Sequence, residues 1–523
     1  MRLDEKNPWI RLALLAAAVM FFAYVVVKNA WMDEDVWITL RTVDNFVHGF
    51  GLTWNPYERV QVYTHPLWML VLCGSYALAG EAYFSTLAVS AVCSLAVLFV
   101  AWRRWREHPH KVVCLTLLFL ASKSYLDFTT SGLENPLTHL LFTAFFVVLF
   151  GAPKDLPLEA RRFVALVFLT ALGYVNRADT VLAYGPVLVW LSWRDRKAFG
   201  WKRLAKLWAI GLVPAIAWTA FGTIYYGFPV PNTAFAKLAG GHYRPPFLHP
   251  NATAYYTNSL SWDPLTLPVI GGAIGFAMRR KVWKTNRAVA ALMVGLVLLL
   301  LYALRIGGDY MTGRLFALPF LIASLTLVEL MPESRPSIAL AVTAAVFALG
   351  LLGPRSPVSR TITPDMKSRD ETGVLDDRAM HQAGALSRVL KDKDYRVGYA
   401  RQFPPTLPQS VVWGATGYHG FQRGTRFRTI DNLALSDPLL ARLPARSPES
   451  DWGRGHLFRA MPEGYIATVE TGQNRIVDPS LHAYYDKLLI ITTGPLFTTE
   501  RFATIFAMNT GRYSHYLAEY SAR

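Results

Sequence analysis

The sequence predicts a polytopic α-helical membrane protein carrying a soluble α/β domain at its C-terminal end. Three observations predict it. The chain is 53% hydrophobic and only 17% charged, with a positive mean hydropathy of +0.25, too apolar for a soluble enzyme of 523 residues. Long apolar runs recur from Trp9 to about Gly353, the pattern of membrane helices. Beyond Pro354 charge, proline and glycine rise and the apolar runs shorten. The boundaries expected from this are 1–353 for the membrane part and 354–523 for the soluble part.

The first run, "LALLAAAVMFFAYVVV", follows Arg2 and Lys6 and is not followed by a small-residue cleavage site. It reads as a retained helix over about 10–28 rather than a signal peptide. Basic clusters then set the topology, because Lys and Arg concentrate in cytoplasmic loops. They lie at 103–111, 154–162, 194–206 and 279–287. Further spans fit at 82–102, 112–124, 135–151, 163–176, 180–193, 206–226, 264–278, 288–305, 314–331 and 336–353, about eleven in all. The segment "PLWMLVLCGSYALAG" at 66–80 is apolar but short. Counting it as a crossing would move the cluster at 103–111 outside, so it reads as a re-entrant or interfacial helix. The first outer loop is then 31–81, and the tail lies outside the cytoplasmic membrane. The net charge of +17 is assigned to the cytoplasmic loops and not to nucleic-acid binding. Cys73, Cys93 and Cys114 all lie in apolar segments, which points to core filling and not to disulfides or a metal cluster.

In the tail, "SVVWGATGY" and "KLLIITTG" are of strand length, and "TPDMKSRDETGVLDDRAMHQAGALSRVLKD" reads as a surface segment leading into an amphipathic helix. A single glycosylation sequon, "NAT", begins at Asn251.

The chemically suggestive residues all fall in the expected outer loops. Asp33, Glu34 and Asp35 stand together where the first helix ends. An acid at a membrane boundary is costly unless it is hydrated, paired or used. In a walled pocket a carboxylate acts as a general base. Asp33 and Asp35, spaced Asp-x-Asp, are the pair that would hold a divalent cation if one is used. Asp309 follows two glycines in "RIGGDYMTGR", flanked by Arg305 and Arg314. Arg177 and Asp179 lie in a very short loop, either as a salt bridge or with Arg177 as a clamp for a lipid phosphate. His65 in "YTHPLW", with Asn232 and Lys237 in "PNTAFAK", offers further polar contacts, and Glu134 in "SGLENP" sits where a helix cap is expected. The aromatics Trp37, Trp54, Tyr57, Tyr63 and Trp68 suit either a sugar site or an interface belt. A phosphate-binding glycine loop, an HExxH zinc site and a GxSxG elbow are all missing from the sequence, which disfavours nucleotide-driven chemistry and serine hydrolysis.

Together "EDVWITLRTVDNF", "GLTWNPYERV", "SGLENPL", "YGFPVPNTAFAK", "GGDYMTGRLFALP", "IDNLALSDPLLARLP" and "GRGHLFRAMPEGY" resemble the GT-C membrane glycosyltransferases, and within them the mycobacterial-type terminal β-(1→2)-arabinofuranosyltransferases. The family's acidic pair falls on Glu34 and Asp35, the first departing from the usual aspartate, and its "GGD" aspartate falls on Asp309. The resemblance implies a polyprenyl-phosphate-linked sugar donor, decaprenyl-phosphoryl-arabinofuranose in type, and a glycan acceptor outside the cytoplasmic membrane. Asp35, Asp309 and Glu34 are then the expected catalytic acids. Arg177, Arg314, His65, Asn232 and Lys237 are the expected donor contacts. A mannosyl or other polyprenyl-phosphate-sugar transferase is the alternative enzyme. A transporter is the alternative of another class, with charges at mid-membrane and paired broken helices.

Overall fold

A computed structural model describes residues 8–151, 157–238, 252–361, 367–392, 409–414, 416–445 and 457–522. The sequon at Asn251 and part of the basic cluster at 154–162 lie outside the described residues. The chain forms two compact units, which do not follow the change of composition at Pro354. The first gathers Met1–Asp33, Thr86–Ala215 and Pro246–Tyr395, and the second Glu34–Ser85, Ile216–Pro245 and Arg396–Arg523.

The first unit is a helical bundle. Each expected span falls on a helix, but helix length alone does not return eleven crossings. Among the described residues, Tyr83–Arg104 and Arg287–Ile306 are long and apolar enough to cross a membrane, and four spans result if two bent pairs are each one span. The apolar helices Asn135–Phe150, Thr266–Arg279 and Pro336–Leu351 are shorter than the ~20 residues of a full crossing. The expected span 112–124 ends early, at Ala121, and the chain turns by 91°. Ser122 is the cause: its backbone is extended and its hydroxyl accepts from the Tyr125 amide, capping the next turn. The span expected at 206–226 is likewise split into Trp201–Gly211 and Val213–Tyr225, bent by 57°, where Pro214 has no N–H to continue the ladder. Helices Val181–Phe199 and Arg287–Ile306 pack along each other. Gly295 permits this, since a Cβ there would stand 2.6 Å from the Ala183 carbonyl oxygen.

The stretch read as a surface segment belongs to this unit and is surface only in part: Lys367, Arg369, Glu371 and Thr372 are exposed. Asp376, Asp377 and Arg378 are buried. Asp376 accepts from Lys123 at 3.2 Å and from Arg355 at 2.6 Å. Burial pushes its carboxyl up, but Lys123, Arg378 and Arg355 outweigh that and hold it at about 2. The seven-residue helix expected to be amphipathic forms at Leu386–Asp392.

The second unit joins the first outer loop to the tail. Its one sheet among the described residues has two parallel strands, Gln409–Val412 and Phe427–Ile430, in register from Gln409 opposite Phe427. "SVVWGATGY" therefore supplies a strand, as expected. "KLLIITTG" does not, because it closes the helix Pro479–Thr492. Asp478 caps that helix and Pro479 opens it. Leu481, Tyr484, Tyr485, Leu488 and Ile491 line one helical face and are buried in a core with Tyr465, Leu439 and Leu440. The helix Pro66–Ala79 spans 14 residues, or about 21 Å, and packs on Glu34–Val47.

Candidate active site

The motifs of the first loop prove to be mostly architecture. Helix Glu34–Val47 is buried over Val36–Asn45. Arg41 lies wholly inside the unit, with its guanidinium 3.9 Å over the Trp54 ring. Its nitrogens donate to the carbonyls of Trp54 (2.8 Å), Gly420 (2.9 Å) and Phe427 (3.2 Å). One arginine thus pins the loop "GLTWNPYERV" and the tail to the same helix. Asn45 donates to the carbonyls of Thr53 and Trp54. Trp37, Trp54, Tyr63 and Trp68 are buried core residues, so neither the sugar-site nor the interface-belt reading describes these four. His65 is buried and shares a 2.9 Å hydrogen bond with Thr39.

The "PNTAFAK" and "IDNLALSDPLLARLP" motifs meet in the same unit. Asn232 donates to the carbonyls of Ala434, Leu435 and Asp437, each at 3.1 Å, and accepts from Arg442. Arg442 stacks 4.3 Å over both Phe228 and Phe235. The expected donor contact Asn232 is spent on this tie. Lys237 is exposed at the end of the helix Asn232–Lys237.

What remains for chemistry in this unit is the acidic pair that opens helix Glu34–Val47. Both carboxylates occupy the first turn, where the helix dipole favours negative charge. Glu34 Oε1 accepts from the Tyr418 amide at 3.1 Å. Residue 417 has to be glycine, since a Cβ there would come within 2.5 Å of Glu34 Oε1. Trp37 packs on Tyr418 and Phe421 and closes the same face. Burial first, and then the charge of Asp35, push the Glu34 carboxyl up to about 7, against the pull of the Tyr418 and Gly417 amides. Two adjacent acids, one of them half-protonated near neutrality, are the arrangement that general acid–base work requires. Glu34 and Asp35, both expected as catalytic acids, thus stand together at the head of this helix. The tail segment 417–421, with its glycines three apart, was the residue set that sequence reasoning missed.

This environment gives a stability prediction. A carboxyl raised from 4.5 to about 7 favours its protonated form in the fold. That contribution is fully present below pH 4.5 and is lost as pH rises through 7. Glu34→Gln keeps the neutral shape at every pH. Its melting temperature in detergent should match the parent near pH 4.5 and exceed it increasingly up to pH 8.5, by about 2–3 kcal/mol of stability at most. A difference that stays flat with pH would mean that Glu34 is ionised throughout.

In the first unit a second polar centre forms around Glu134, which the sequence offered only as a helix cap. Glu134 is buried. It accepts from Arg177 Nη1 at 2.8 Å and from Arg314 Nη2 at 3.1 and 3.3 Å. Arg177 also grips Asp179 with two parallel bonds of 2.8 and 3.0 Å. Asp309 stands 3.7 Å from Arg314. Burial lowers the affinity of Arg177 for its proton, but Asp179 and Glu134 more than reverse this and hold it well above the ordinary value. Arg177 and Arg314 line a cavity of about 30 Å³ with Asn135, Thr138 and Tyr302, room for about one water.

Asp33 belongs to the first unit, and its carboxylate converges with Asp377 and His381, all three offering ligand atoms within 4.8 Å of one another. This trio adds two residues that the expected Asp33-x-Asp35 pair did not include. Two carboxylates and an imidazole suit a divalent cation.

No family model matches the chain. Two relatives named terminal β-(1→2)-arabinofuranosyltransferase are similar to it. One, from Mycobacterium tuberculosis, is 28% identical over 366 residues, covering 62% of this chain and 56% of the relative. The other, from Corynebacterium glutamicum, is 28% identical over 374 residues, covering 61% and 51%. The chain thus spans about half the length of the curated relatives it matches. Among solved structures, ArnT from Cupriavidus metallidurans bound to undecaprenyl phosphate aligns with a TM-score of 0.50 at 15% identity, over 81% of this chain and 86% of that one. The GT-C resemblance drawn from the motifs is borne out: this chain is similar in sequence to the terminal β-(1→2)-arabinofuranosyltransferases and in fold to ArnT.

Proposed function

We propose that this protein is a membrane glycosyltransferase. It moves arabinofuranose from a polyprenyl-phosphate donor to a glycan acceptor on the outer side of the cytoplasmic membrane. The observation that carries the chemistry is the Glu34–Asp35 pair in the first turn of its helix, with Glu34 held by the Tyr418 amide at 3.1 Å and its carboxyl pushed up by burial. The named relatives support the sugar, and the likeness to ArnT supports the scaffold. A lipid-linked donor suits a site outside the cell, because no nucleotide-sugar pool exists there.

In the proposed step Asp35 takes the proton of the acceptor hydroxyl. The hydroxyl oxygen bonds to the anomeric carbon as the bond from that carbon to the phosphate oxygen breaks. Polyprenyl phosphate leaves with the electron pair, and charge on the sugar ring peaks in an oxocarbenium-like transition state. Glu34, held by the Tyr418 amide, keeps the local charge low by retaining its own proton. Within the first unit we assign Asp33, Asp377 and His381 as the residues that would hold a divalent cation, whose chemistry would be charge neutralisation.

For Arg177 and Arg314 the ion pairs support the salt-bridge reading over the phosphate clamp. Both guanidiniums already pair with carboxylates, Arg177 with Glu134 and Asp179 and Arg314 with Glu134 and Asp309. Guanidiniums engaged with buried carboxylates have less to offer an incoming phosphate. We therefore assign Arg177 as a strut that holds Glu134 and Asp179, with Arg314 its partner, and Asp309 as the acid that steadies Arg314.

The test of the function is transfer by pure protein in lipid vesicles. Radiolabelled decaprenyl-phosphoryl-arabinofuranose and an arabinan oligosaccharide should give a labelled, extended oligosaccharide. A product that forms only when the donor carries mannose would move the reading to the alternative sugar. Export of intact donor without any new glycosidic bond would reject a transferase.

A further inference from the structure

The helix Thr499–Asn509 near the C-terminal end carries a stripe that faces outward. Thr499, Phe502, Ala503, Phe506 and Thr510 are exposed, while Arg501, Thr504 and Ile505 on the opposite face are buried. Phe502 is 41% exposed, Phe506 59%, and Phe497, just before the helix, 77%. Three outward phenylalanines within ten positions are more than a solvated helix end accounts for. Burying each removes apolar surface from water, so something is expected to cover them.

The underside of this helix identifies what does. Arg501 donates to the carbonyls of Ile224 (2.7 Å) and Tyr225 (3.0 Å). These are the last carbonyls of the apolar helix Val213–Tyr225, and a helix end leaves such groups without intrahelical partners. Asn509 adds a bond of 2.8 Å to the Gly227 carbonyl. Thr499–Asn509 is therefore clasped to the very end of an apolar helix. Along that helix Ile216, Ala220 and Ile224, four apart, form an outward apolar stripe, the face a lipid-contacting helix presents. Its end carries a packed, partly exposed aromatic set of Trp218, Phe221 and Tyr225, the composition of a membrane–water boundary. Arg512 lies 5.4 Å over the Phe506 ring, a cation beside the apolar face at headgroup level.

We propose that Thr499–Asn509 is an interfacial helix, lying at the bilayer surface with Phe497, Phe502 and Phe506 inserted among the lipids. Arg501 fixes its depth by joining it to the end of Val213–Tyr225. Arg512 stands toward the lipid phosphates. The tail is thereby anchored to the membrane through its own aromatic face, in addition to its covalent link to the chain.

The test uses the full chain reconstituted in vesicles of phosphatidylethanolamine and phosphatidylglycerol. The three native cysteines are buried, so a nitroxide is attached to Phe506→Cys and, as a control, to Gln473→Cys, an exposed position on another turn. At Phe506→Cys, collisions with oxygen should exceed those with a water-soluble nickel chelate several-fold, and at Gln473→Cys the order should reverse. Equal, high nickel accessibility at both labels would overturn the proposal. A Phe506→Cys label shielded from both reagents would also overturn it, in favour of a second protein copy on this face. As a readout on the native chain, a phospholipid with a photoreactive group near its headgroup should leave adducts on residues 497–512. Adducts on Val213–Tyr225 with none on 497–512 would reject the idea without any variant.

Discussion

Asp35→Asn is expected to lower turnover by about 10²–10⁴, the scale on which a general base acts. The change deletes the proton acceptor and keeps the side-chain volume. Asp35 lies in the first turn of Glu34–Val47, so the helix should persist and the donor constant should hold. The neighbour provides an internal check. The charge of Asp35 is the second cause of the raised Glu34 carboxyl. Removing it should shift the pH dependence of melting toward lower pH, a change that mere misfolding would not produce. Near-normal turnover in Asp35→Asn, joined to a collapse in Glu34→Gln, would hand the base role to Glu34.

Glu134→Ala should be the most destabilising single change in the first unit, by about 3–5 kcal/mol, because it leaves Arg177 and Arg314 without the buried carboxylate both of them use. Glu134→Gln keeps an acceptor oxygen and should cost less. Arg177→Lys keeps the charge but loses the paired bonds to Asp179. As a strut it should lower melting and leave the donor constant alone. A roughly tenfold rise of that constant at unchanged melting, equal to ~1.4 kcal/mol of donor binding, would restore Arg177 to the phosphate. Thermal melts and donor titrations on these three variants separate the outcomes.

The sequence placed the helices well because apolar periodicity and length are local properties. It placed their breaks poorly. The turn at Ser122 depends on one hydroxyl capping the Tyr125 amide, and serine inside an apolar run gives no sign of which role it takes. "KLLIITTG" has the composition of a strand, yet Asp478 and Pro479 start a helix eight residues earlier and the core decides in its favour. The motif residues were visible as a set, but their work was not. Asn232 was expected as a donor contact and Trp54 as a sugar-site or interface-belt residue because polar and aromatic residues in loops often are. Asn232 binds backbone carbonyls and Trp54 lies in the core instead, which no linear spacing reveals.

By itself the sequence determined a membrane-helical chain, the acids at the head of the first loop and the glycosyltransferase resemblance. All three rest on composition, adjacency or ordered motifs, which survive without coordinates. The tertiary structure alone decided that the tail residues 417–421 grip Glu34, that Glu134 gathers Arg177 and Arg314, and that Asp33 turns to Asp377 and His381. These partners stand tens to hundreds of positions apart in the chain. A carboxylate's proton affinity and a guanidinium's role are set by desolvation and by charges a few ångströms away, so only the folded chain fixes them.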